Sequence, residues 1–176
     1  MKCAVAAFLL MVLPVIGNAA PSPEIIEPIR HSFVNGLENE ETAHDLHDRL
    51  EQIADDDPLL LAYFGATKAL KAHHTRNYFS KYVYARNAVN MLNDAVEKAP
   101  ENIEIRFLRY NVQREIPRYL GLSSNLDEDK NFIIENFLKD HHMQRDPKAM
   151  QTVAVYMVDS AGVEGDNKEP FEEYLP

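Results

Sequence analysis

An all-α fold of stacked antiparallel helix hairpins is predicted by three features of the chain. Apolar residues recur at three- and four-residue spacing along almost its whole length. Asp57-Pro58 and Asp146-Pro147 each place a capping acid before a proline, the layout of a helix start. No segment combines strict alternation, β-branched enrichment and an Asn-Gly or Asp-Gly turn, so nothing reads as a hairpin strand.

The first element in chain order is a leader. Lys2 is followed by an apolar run from Ala4 to Ile16, broken only by Pro14, and Gly17 and Ala19 then supply small residues at the spacing a signal peptidase recognises. Residues 1–19 are therefore expected to be a cleavable signal peptide, with the mature chain starting at Ala20. The run is shorter than the roughly 20 residues a membrane span requires. On this reading the protein is exported, periplasmic or secreted, and is not an integral membrane protein after cleavage. Cys3, the single cysteine, precedes the apolar run and would leave with the leader. The mature chain is then expected to use no disulfide, thiol nucleophile or cysteine-bound metal, and its stability must come from a packed core. About 157 residues suffice for one such domain.

Seven helices follow, over about 23–36, 39–54, 58–73, 80–98, 101–116, 125–140 and 147–159. Asn39, Asp57, Ser80 and Asp146 are the expected caps. The second helix carries one stripe, Ala43, Leu46, Leu50 and Ile53, as a surface helix should. The third is apolar nearly all round, with Leu59, Leu60, Leu61, Tyr63, Phe64, Ala66, Ala69 and Leu70, so neighbours must surround it. The fifth divides into two opposed apolar faces, Ile103, Phe107 and Tyr110 against Ile105, Leu108, Val112 and Ile116. A helix buried on opposite faces lies between layers, as in stacked hairpins, whereas a four-helix bundle needs one stripe per helix. The domain is expected to span 20–159. Residues 160–176, with two glycines, two prolines and mostly acidic charges, read as a mobile C-terminal tail in which Phe171, Tyr174 and Leu175 are the residues suited to packing or docking.

Prolines 58, 100 and 147 recur at helix-pair spacing, and Ala88, Leu92 and Ala95 precede Pro100 as in the second half of a tetratricopeptide repeat. Over residues 58–116 the chain resembles that family, with Gly65 as the small residue of the first helix on a hairpin longer than the family's. The resemblance implies an α-solenoid fragment that binds protein or peptide in a groove lined by the first helix of each pair. Residues 58–138, including Ile105-Arg106-Phe107-Leu108-Arg109-Tyr110 and Leu120-Gly121 followed by Glu128-Asp129-Lys130, also look like a family of small exported bacterial proteins of unassigned function, which implies no activity.

Charge narrows the partners. The chain has 18 basic and 28 acidic residues, a net charge of −10 that becomes one unit more negative without Lys2. Nucleic acid and anionic membrane are disfavoured, since both need clustered positive charge. Gly-x-Ser-x-Gly, His-Glu-x-x-His and phosphate-loop signatures are absent, and no cofactor is expected. Arg106, Arg109 and Gln113 share one polar stripe on the fifth helix and are the candidate ligand-binding residues, suited to a carboxylate; the competing reading pairs the arginines internally with Asp127, Glu128 or Asp129. His44, His47 and Asp48 on the second helix are the candidate metal ligands, with Glu40 and Glu51 a turn to either side, against the plainer reading of a solvated polar face. His73-His74 and His141-His142 suit helix C-termini better than a shared ion. Between His73 and Tyr84, basic and aromatic residues interleave as they would to stack bases or sugars, while the plainer expectation is that the aromatics plug a wide turn. The function these features favour is an exported binding or scaffolding module for a protein or peptide of the cell envelope. The alternatives are a metal-dependent or other hydrolytic enzyme and a structural helper of an envelope assembly.

Overall fold

The computed structural model describes residues 21–54, 57–139 and 146–176; the expected leader over 1–19 and the pair His141-His142 lie outside these residues. Among the described residues the chain is all-helical, with no strand. The helices are α1 (Pro23–Gly36), α2 (Glu40–Ile53), α3 (Pro58–His74), α4 (Tyr78–Lys98), α5 (Ile103–Glu115), α6 (Leu126–Asn136), α7 (Pro147–Val155) and a short α8 (Glu169–Glu172). Short side chains start most of them. Asn39 accepts from Thr42 N–H, Asp57 from Leu59 and Leu60 N–H, Asn102 from Ile105 N–H and Asp146 from Ala149 N–H. Ser80, the expected cap of the fourth helix, instead donates its N–H to Asn77, which caps α4 three residues earlier.

The helices stack, and α3 packs against α1, α2, α4 and α5. Its apolar circumference reflects those neighbours. The broadest of these contacts is with α4. There a Cβ added at Gly65 would lie 3.0 Å from Met91 Cβ and 3.4 Å from Ala88 O, so the two helices approach too closely for a side chain. Ala88 itself is fully buried. Ala88→Leu should cost about 1–3 kcal/mol by forcing these helices apart. A melting curve checks this, and an unchanged midpoint would mean that the seam has room to spare.

Two hydrophobic clusters share α5. Ile105, Leu108 and Val112 join the first, with Ile29, Leu50, Leu60, Ala66 and Leu92 of the preceding helices, and Ile116 packs at its edge. Ile103, Phe107 and Tyr110 join the second, with Ile133, Phe137, Met150, Met157 and Phe171. The division follows the two faces legible in the sequence.

The C-terminal segment is not the free end its composition suggests. After α7 the helix widens at Tyr156–Ser160, and Gly165–Lys168 and α8 bring Phe171 into the second cluster with no exposed surface. Its ring lies 4.6 Å from Phe137, and Tyr174 meets Phe137 edge-on at 5.4 Å. Apolar side chains, among them Val163, Phe171, Tyr174 and Leu175, outweigh the acidic composition because the charges point outward.

A polar clasp closes the other end. Arg30 of α1 grips Glu104 of α5 through Nε at 2.7 Å and NH2 at 2.6 Å, and also pairs with Asp146, the cap of α7. Tyr63 of α3 donates its hydroxyl to Glu104 at 2.6 Å, and burial pushes that phenol well above its ordinary range.

Candidate functional site

Three places test the sequence expectations. On α5, Arg106 and Arg109 do not line an open groove, because α6 covers them: they are 8% and 4% exposed. Arg109 holds Asp129 with Nε at 2.7 Å and NH2 at 2.6 Å, and donates through NH1 to Asn93 at 3.1 Å. Arg106 donates to Pro100 O at 2.9 Å and to Asp129 at 3.1 Å, pairs with Glu128, and stacks over Phe132 at 4.5 Å. Asp129 is fully buried between the two guanidinium groups. Hydrogen bonds from Asn125 and Arg106 hold the Glu128 carboxyl below its ordinary range. Gln113 exchanges bonds with Asn125, accepting from its N–H at 3.0 Å and donating to its Oδ1 at 3.2 Å. The stripe is thus the seam between α5 and α6, as the reading that pairs its arginines internally with Glu128 or Asp129 expects, and not a face open to a ligand. The carboxylates it holds are the chain's own.

On α2, the two histidines part company. His44 stays at the surface, 3.9 Å from Glu40. His47 turns inward, 4% exposed, and stacks on Phe64 at 5.0 Å. Thr67 donates its hydroxyl to Phe64 O at 2.7 Å, so toward His47 Nδ1, 2.9 Å away, it can only accept. That fixes the proton on Nδ1 and leaves the Nε2 lone pair facing Lys68 Nζ at 3.2 Å. The set brought together is His47, Asp48 and Glu51, whose ligand atoms lie within 4.8 Å of one another, and His44 is not among them. Glu51, which flanks the expected set one helical turn from His47 on the same face, stands in that set where His44 was expected.

Burial, and then the charges of Lys68 and Lys71, depress the His47 pKa from 6.5 to about 4. The folded protein therefore binds fewer protons here than the unfolded chain. This contribution to stability is present above pH 6.5 and is lost as pH falls toward about 4. Melting midpoints should decline over that interval, and His47→Gln should flatten the decline. A profile unchanged by the substitution would place the effect elsewhere.

The third place is the turn between α3 and α4. Three of its aromatics do not plug it, and only Tyr84 is part-buried. Tyr78 is 90% exposed and Phe79 77%, with Tyr82 one turn further on also exposed. The turn is closed instead by polar groups, with Asn77 capping α4 and His74 Nε2 bonded to Gly36 O at 2.8 Å. Because the turn needs no apolar plug, the rings point out. Tyr78 shares a shallow cleft with His73, Arg76 and Lys81, which continues past His74 and Thr75 to Tyr84 and the start of α2.

No helix among the described residues is long and apolar enough to cross a membrane. Comparison of the chain with known protein families, with curated proteins and with solved structures finds no match.

Proposed function

We propose that the chain is an exported helical-repeat binding module, and that it recognises an acidic, aromatic-bearing segment of a protein or peptide of the cell envelope at the turn between α3 and α4. The observation that carries this reading is the exposure of Tyr78 and Phe79 beside Arg76 and Lys81. Large apolar rings left in water contribute nothing to folding, whereas covering them with a partner is favourable. Cations gathered there in a chain of net charge −10 select an anionic partner by complementarity. The surrounding negative field opposes a long polyanion such as nucleic acid and leaves a short acidic segment as the better fit. The leader supports export, and the spacing of Gly65, Ala88, Ala95 and Pro100 supports the repeat reading.

The test is fluorescence anisotropy with a labelled Asp- and Glu-rich peptide containing tyrosine, beside a lysine-rich peptide of equal length and vesicles of anionic lipid. The acidic peptide should bind, more weakly as salt rises. Tyr78→Ala combined with Phe79→Ala should weaken binding by at least about tenfold. The melting midpoint should barely move, since substitutions of exposed side chains stay within about 0.5 kcal/mol. Peptide affinity that ignores the double substitution, or binding to vesicles alone, would overturn the assignment.

A further inference from the structure

We infer that His47, Asp48 and Glu51 form a binding site for a divalent cation of zinc's kind, with Thr67 as the residue that orients the imidazole. The inference rests on a different part of the molecule from the aromatic turn. A metal-binding histidine typically donates its other ring N–H to a fixed acceptor, which sets the tautomer and aims the free lone pair. His47 has that arrangement before any metal arrives: Nδ1 is committed to Thr67, whose own proton is committed to Phe64 O. The stack on Phe64 fixes the ring plane.

Two carboxylates complete a donor set of one nitrogen and two oxygens, the chemistry zinc accepts from imidazole and carboxylate ligands. Ligand atoms around a tetrahedral ion at about 2.1 Å stand about 3.4 Å apart. The present separations, within 4.8 Å, close to that by side-chain rotation, because Asp48 and Glu51 are exposed and free to turn. Their exposure also gives the ion a path in and leaves its remaining positions to water.

The Nε2 lone pair already accepts a hydrogen bond from a positive charge. Lys68 Nζ lies 3.2 Å from His47 Nε2 and within the electrostatic reach of Glu51 and Asp48. The ammonium is thus the resident competitor for an incoming dication, and the lysine stem must swing aside for the ion to bind.

Zn2+ is titrated into the metal-stripped full chain against a chromophoric chelator, with a melting curve for each variant. One equivalent should bind. Lys68→Met should tighten the site by removing the competitor, and His47→Gln should abolish it. Glu51→Gln changes an exposed side chain and leaves folding intact, so its expected loss of at least about tenfold in affinity reads ligation directly. Thr67→Val keeps the side-chain shape and should weaken binding by about 10- to 100-fold, as the loss of an orienting partner does. His44→Gln should leave affinity unchanged. The site is refuted if neither the natural chain nor Lys68→Met binds one equivalent, if Glu51→Gln binds as the natural chain does, or if His44→Gln is as damaging as His47→Gln.

Discussion

Replacing Asp129 by alanine is expected to destabilise the protein by about 3–5 kcal/mol, because it strands two nearly buried guanidinium groups without their shared anion. The effect arises from desolvation more than from the lost attraction. Arg106 and Arg109 gave up water to reach Asp129, and removing the carboxylate leaves that cost uncompensated. Glu128 offers only a partial substitute, since it is half exposed and reaches Arg109 at 3.4 Å. Urea unfolding of Asp129→Ala measures the loss. A change below about 1 kcal/mol would show that solvent already satisfies the arginines. They would then be available to an external carboxylate, as the sequence stripe of Arg106, Arg109 and Gln113 suggested.

The second large effect concerns the C-terminus. Phe171→Ala removes a fully buried ring from between Phe137 and its neighbours and should cost about 3–5 kcal/mol. For a chain of this size that corresponds to a fall of roughly 10 °C in the melting midpoint. Differential scanning calorimetry would show it. A mobile tail, the expectation from composition, would instead give no shift.

The backbone was more legible than the surface. Helix starts announce themselves locally, since Asp57 and Asp146 each precede a proline and bond the N–H groups two or three residues on. The two faces of α5 were legible because helical period is a property of the sequence, and Ile103 and Ile105 separate onto opposite clusters by that period alone. Asp129 could be named as a partner of Arg106 and Arg109 because it opens the next helix, but more distant partners leave no such mark. Nothing near Arg30 points to Glu104, 74 residues away, or to Asp146, 116 away. His44 and His47 read as equals on a helical wheel, and only the approach of Thr67 and Phe64 from α3 distinguishes them. Composition misled at the tail because it averages over residues. One phenylalanine in a cavity outweighs several acids in water.

The double-sided burial of α5 has a consequence for the order of events in synthesis. A chain made from its N-terminus can complete the first cluster once α5 has emerged, but Ile103, Phe107 and Tyr110 then face solvent until α6, α7 and the segment carrying Phe171 arrive. The nascent protein thus passes through a half-built stage with an adhesive wall, which stays unsealed until Phe171 arrives. Any premature stop upstream of Phe171 leaves that wall partly open. Truncated chains are therefore the ones to find clumped together or held by chaperones, even when their first five helices are intact.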